Sequence, residues 1–206
     1  MNVTLLDFTK YPVDAISLAM GTSYGKYDTG EKRVIGAARL KHMSVFEFAD
    51  ATFRIEGISR ACANQLVRHR LASYCQESQR YVKINTDSCD WYVTPDEIAE
   101  NDDALLMYDK MMELSGETYK ALLDIGIKPE DARYILPNGA KTTIVTKMNM
   151  REFFNFLNLR LERHAQAEIR YLAAQMFEAL KTQTTDESNV QWNKICDLYT
   201  EYIKDF

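Results

Sequence analysis

Between Asn149 and Gln166 the chain reads NMREFFNFLNLRLERHAQ, and no other stretch limits the fold so strongly. Read as a helix, it stacks Arg151 on Asn155 and Arg160 on His164, each pair four residues apart. Phe153, Phe154, Phe156, Leu157 and Leu159 crowd the gaps and leave almost no polar face. A helix apolar nearly all round belongs inside a molecule. Asn149, Arg151, Asn155, Asn158 and Arg160 then stand in an apolar setting, which is unfavourable unless each finds a partner or a ligand. Two readings stay open at this point: satisfied polar groups of a core or interface, or a binding site.

The flanking segments set the fold class. NVTLLDFT (2–9) reads as a short strand, and YPVDAISLAMGT as a helix with Pro12 in its first turn and Gly21 near its end. TGEKRVIGAARLKHM reads as a second helix entered through Gly30. In SVFEFADATFRIEG, Phe46 and Phe48 share one alternation and Ala51, Phe53 and Ile55 the other. That pattern predicts a strand with a bulge near Ala49-Asp50, ended by Gly57. SRACANQLVRHR is a helix capped by Ser59, followed by a polar, extended run through ESQRYVKI. TPDEIAENDDALLMYDKMMELSGETYKALLDIG is the clearest helix or helical pair, with Thr94 as cap and Pro95 in the first turn. KPEDARYILP is a short helix, AKTTIVTKMN a Thr/Val/Ile strand, and MREFFNFLNLRLERHAQAEIRYLAAQMFEALK a return to helix. Strands among helices without regular alternation predict an α+β fold: a mixed or antiparallel sheet flanked by long helices. One domain spans 1–206, with a helical C-terminal tail from about residue 186.

Charge and composition narrow the function. The net charge of -5 disfavours a general nucleic-acid binder. No export signal opens the chain, and no apolar run approaches the ~18 residues of a membrane span. Cys62, Cys75, Cys89 and Cys196 form no CxxC and no metal-ligand spacing, so reduced thiols in a cytoplasmic protein are expected. The glycines never fall as GxGxxG or GxxxxGK[ST], which excludes a Rossmann or P-loop nucleotide site.

Within this acidic chain sits RHRLASYCQESQRY, from Arg68 to Tyr81. The plain reading of Arg68, His69 and Arg70 is a solvated cap, welcomed by the negative end of a helix. The functional reading is a pocket for a phosphate or the polar edge of a flavin, matched by the planar guanidinium fork. His42, His69 and His164 show no HxH or HExxH, and each stands near Lys or Arg, so no metal site is expected.

RHR followed by seven residues and Ser78 resembles the signature of the flavin-dependent thymidylate synthases, and Arg80-Tyr81 continues the longer pattern. The resemblance runs from about residue 30 to 180. KHMSVFEF is similar to the family's His-x-Ser-x-Phe-Glu segment (His42, Ser44, Phe46, Glu47). Gln65 stands three positions before the triplet, ARYILP holds a nucleotide-contacting Arg (Arg133), and the C-terminal block is NMREFFNFLNLRLERHAQ. The chain departs from the family where Cys75-Gln76 replaces the usual Asn-Glu, and where Phe48 stands for a frequent His.

The resemblance implies conversion of dUMP to dTMP with methylenetetrahydrofolate as carbon donor and FAD, reduced by NADPH, as hydride carrier. It implies that Ser44, Arg68, His69, Arg70, Asn149, Arg151 and Asn155 hold FAD. It places Gln65, Arg68, Gln76, Glu77, Ser78, Arg80, Arg133 and Arg160 on dUMP, with Arg160 as the catalytic residue. Arginine stays protonated, so Arg160 acts by stabilising negative charge developing on the uracil rather than as an acid. The family implies a homotetramer with active sites shared between subunits. Two other classes remain: a small nucleotide- or RNA-binding module that stacks bases on Tyr and Phe, and a helical interaction protein.

Overall fold

The computed structural model describes residues 1–182 and 186–204. Its centre is a fully antiparallel four-stranded sheet in the order β1-β2-β4-β3, formed by β1 (Asn2–Phe8), β2 (Asp50–Ser59), β3 (Ala72–Gln76) and β4 (Lys141–Asn149). Alternation on the central pair puts Ala51, Phe53 and Ile55 of β2 on the buried face beside Thr142, Ile144, Thr146 and Met148 of β4. Around it lie α1 (Pro12–Thr22), α2 (Glu31–Arg39), α3 (Arg60–Leu66), α4 (Asp96–Ala99), α5 (Asp102–Asp124), α6 (Pro129–Ala132), α7 (Met150–Arg160), α8 (Ala167–Thr182) and α9 (Asp186–Leu198).

The core joins sheet to helices through aromatic rings. Phe53 stacks on Phe153 at 5.7 Å between centroids, Phe46 meets Phe154 edge-on at 5.6 Å, and Phe154 stacks on Tyr199 at 5.3 Å. The aromatic run of α7 is thus a buried helix, as its composition requires. The C-terminal tail belongs to this core. Trp192 is fully buried and donates its indole N–H to Thr9 O at 3.1 Å. Gln191 accepts from the Val13 N–H at 3.0 Å, supplying a cap that Tyr11 does not provide to α1. Trp91, Tyr92, Met112 and Ala140 make a smaller cluster under α5.

Several boundaries differ from those the sequence suggests. Met43–Phe48 is a 3-10 helix, with Phe46 buried and Phe48 exposed, so the change of phase near Ala49-Asp50 marks the start of β2 and not a bulge. The bulge lies at Gly57, where φ is +71° and the register with β4 shifts between Glu56 and Ile58; the strand continues to Ser59. A left-handed residue suits glycine and lets the strand bend without ending it. Pro95, not Thr94, occupies the cap of α4, and Asn101 caps α5 by accepting from the Ala104 N–H at 3.0 Å. The helix expected from Met150 to Lys181 breaks at Leu161–Gln166, so His164 leaves the face it would share with Arg160 and is exposed.

Candidate active site

α3 ends at Leu66, and the next residues close onto it: the N–H groups of Val67, Arg68 and His69 donate to the carbonyls of Ala63, Gln65 and Leu66. Arg68, His69 and Arg70 therefore lie in a tight turn that enters β3, where consecutive side chains diverge. Tyr74 on β3 locks the turn by its hydroxyl, which stands 2.9 Å from Leu66 O and 2.8 Å from His69 O. Burial pushes the Tyr74 phenol up to about 12, which keeps it a donor. Arg68 and Arg70 are exposed and form no ion pair among the described residues. His69 is buried, its ring edge against Phe156 at 5.0 Å.

His69 sits between an acid and a base of α7. Its Nδ1 is 3.2 Å from Glu152 Oε1, and its Nε2 accepts from Arg160 Nε at 3.0 Å. Burial, with the Arg160 guanidinium beside it, holds His69 below the usual imidazole range, against the opposing pull of Glu152. Arg160 also donates from Nη2 to Gln65 O at 3.3 Å. Its Nη1 has no partner among the described residues. Glu152 is buried, its N–H donates to Asn149 Oδ1 at 3.0 Å, and its carboxylate receives Asn155 Nδ2 at 3.3 and 3.4 Å.

The polar residues of α7 thus find different answers to their apolar setting. Asn158 accepts from the Tyr199 hydroxyl at 3.0 Å and donates to Ile203 O at 3.3 Å, so it clips the C-terminal turn. Asn149 and Asn155 are half committed to Glu152. Arg151 is exposed and pairs with Glu47 at 2.6 Å. One member of that pair lines each of two clefts. Arg151, Ser44, His42 and Lys41 border a cleft of about 450 Å³. Glu47, Arg70, Ser73, Lys147 and Asn149 border one of about 380 Å³.

A second cluster gathers at the other end of α3. Arg80 meets the Glu130 carboxylate at 3.1 Å, and Arg133 Nε donates to Glu130 O at 3.0 Å. Arg60, at the start of α3, donates to Glu77 O at 3.0 Å. Burial lowers its affinity for the proton against the opposing pull of Glu77, with a smaller push in the same direction as burial from Arg133. Gln76 donates to Thr142 Oγ1 at 3.2 Å, and Ser78 Oγ accepts from the Arg80 N–H at 3.3 Å. Sequence reasoning missed Glu152, Tyr74 and Arg60. An acid in the first turn of α7 and a Tyr two residues into β3 look ordinary in sequence; only the burial of Glu152 beside His69 and the Tyr74 hydroxyl bonds to the turn mark them.

Comparison with known proteins places the chain in a family. The profile of the thymidylate synthase complementing protein family matches residues 4–184. The flavin-dependent thymidylate synthase of Geobacter sulfurreducens is 40% identical over 192 residues, covering 88% of this chain and 82% of its own. The crystal structure of the flavin-dependent thymidylate synthase of Helicobacter pylori complexed with FAD and dUMP superposes with a TM-score of 0.74 at 26% identity, covering 93% of this chain and 98% of that one. A UMP/dUMP methylase from Streptomyces cacaoi bound with 5-Br dUMP shares the fold, with a TM-score of 0.79 at 24% identity, covering 98% and 95%. With a profile match over most of its length and relatives at this level of identity, the chain belongs to the thymidylate synthase complementing protein family, the flavin-dependent thymidylate synthases.

Proposed function

We propose that this protein converts dUMP to dTMP by reductive methylation, with methylenetetrahydrofolate as carbon donor and FAD, reduced by NADPH, as hydride carrier. The observation that carries this reading is Arg160. Its guanidinium is held from one side by a neutral imidazole and a backbone carbonyl, which leaves its charge uncompensated by those partners and Nη1 free for a ligand.

The residues present fit a flavin dinucleotide. Two open clefts meet at the Glu47–Arg151 pair, one with Arg70 and Asn149, the other with Ser44, and Arg68 offers a further unpaired fork. Ser44, Arg68, His69, Arg70, Asn149, Arg151 and Asn155 would hold FAD, which when bound supplies the hydride chemistry. Gln65, Arg68, Gln76, Glu77, Ser78, Arg80, Arg133 and Arg160 would hold dUMP, with Arg80 and Arg133 suited to its phosphate.

Arg160 would lie against the uracil and stabilise negative charge as carbon-5 becomes nucleophilic. No protein nucleophile is assigned. Cys62 is buried beside Glu168, both of which push its thiol up, and Ser78 has no imidazole at hydrogen-bond distance among the described residues. A homotetramer with shared sites is part of the same proposal, supported by Leu106, Met107, Met111 and Leu114, which lie exposed along α5. No helix among the described residues is long and apolar enough to cross a membrane; a cytoplasmic location is proposed.

Release of tritium from dUMP labelled at carbon-5, with methylenetetrahydrofolate and NADPH, tests the function. Release that requires FAD is the expected result. Release without flavin would keep the reaction and overturn the mechanism, and none from folded protein would overturn both.

A further inference from the structure

Glu152 is the one buried carboxylate of the network, and nothing in the family pattern above assigns it a task. An acid in the first turn of a helix already interacts well with the helix dipole, but an exposed position would serve that purpose. Burying a carboxylate is unfavourable unless its oxygens are satisfied, and here they are turned to a single imidazole and one amide.

Proton positions follow from the donors available. A guanidinium has no acceptor, so the 3.0 Å contact from Arg160 Nε requires a lone pair on His69 Nε2. A neutral His69 then carries its proton on Nδ1, which faces Glu152 Oε1 at 3.2 Å. Without an acceptor at Nδ1 the imidazole is free to take the other tautomer. That would set an N–H on Nε2 against the N–H of Arg160 Nε, donor against donor, and release the guanidinium.

We propose that Glu152 is a positioning residue for the reaction: by accepting the Nδ1–H of His69 it sets the tautomer whose Nε2 holds Arg160 in place. This rests on the thymidylate synthase reading for its consequence in turnover, while the tautomer itself is a property of the folded chain. Asn155 holds the carboxylate in turn by donating from Nδ2 to both oxygens, while Asn149 Oδ1 fixes the Glu152 backbone by accepting its N–H. Second-tier groups that fix a histidine's tautomer act in this way where histidines bind metals; here the group being aimed is an arginine.

The chain has three histidines, so a 15N-imidazole spectrum of the whole protein is readily assigned. His69 is expected as the neutral form with the proton on Nδ1. Glu152→Met, which keeps volume and removes the acceptor, is expected to lose that signature. Its kcat should fall about tenfold to a hundredfold, with KM for dUMP within about threefold of wild type. Glu152→Gln retains an acceptor and should recover the Nδ1–H form and most of the turnover.

A wild-type spectrum with the proton on Nε2 would overturn the proposal, even if the Met variant failed to fold. So would wild-type kcat in folded Glu152→Met, or an equal loss in the Gln and Met variants. A wild-type protein that forms no dTMP but shows the Nδ1–H form would sink the function while leaving the hydrogen-bond assignment standing, so the two failures are told apart.

Discussion

Two arginines of the site are held in opposite ways. Arg160 is fixed by neutral acceptors, the lone pair of His69 and the carbonyl of Gln65. Arg80 is held by a carboxylate, Glu130, at the surface, with about half of its side chain exposed. The first arrangement orients a guanidinium without neutralising it. The second neutralises it, so Arg80 must exchange Glu130 for any phosphate it binds. A charge aimed at a reacting group needs the first kind of support, whereas a charge that captures and releases a ligand tolerates the second.

Breaking the Arg160 side should have the largest effect. Arg160→Lys loses the fork that meets His69 and Gln65 together, since an ammonium is a compact point charge. Turnover should fall by about a hundredfold or more while FAD is retained, read by tritium release and flavin absorbance. Normal turnover in that variant would refute the role given to Arg160.

A smaller effect should appear in stability against pH. His69 has a lowered pKa in the fold, so the unfolded chain binds more protons on acidification. The contribution is therefore full above the unfolded value of about 6.5 and is lost as pH falls from there toward the folded value. Chemical denaturation of wild type and His69→Gln between pH 8 and about 5 should show a steeper decline in wild type. Parallel curves would mean that His69 is not held neutral.

The smallest effect belongs to the exposed pair. Glu130→Gln should change stability by no more than about 1 kcal/mol, as exposed ion pairs do. It should lower KM for dUMP, by about twofold to fivefold, because Arg80 no longer has to leave a carboxylate. A raised KM would show that Glu130 positions Arg80 rather than competing for it.

Many of the candidate residues proposed for this site stand out in the chain alone, and for those that do not there is a physical explanation. The triplet, Arg160 and the asparagines near and on α7 stood out as polar groups in unexpectedly apolar or cationic settings, whereas Gln65 was marked only by the family resemblance. The phase change near Ala49-Asp50 was legible too, but its cause was not, since a 3-10 turn and a bulge disturb alternation alike. The run from Met150 to Lys181 looked continuous because nothing at Leu161–Gln166 is a strong helix breaker, yet α8 restarts at Ala167 and buries Ile169, Leu172, Ala173 and Met176 in the core.

Sequence by itself determined the α+β class, most of the helices, that α7 is buried, and which family the chain resembles, because those depend on periodicity and on residue types at fixed spacing. Only the tertiary structure decided that His69 is buried while Arg68 and Arg70 are exposed, that Asn158 clips the C-terminal turn while Asn155 serves Glu152, and that the C-terminal helix caps α1 through Gln191. The Asn158 and Gln191 contacts join residues far apart in the chain, and the choice between Glu152 and the C-terminal turn as an asparagine's partner depends on what packs beside α7. No local pattern can report which distant donor will meet which acceptor.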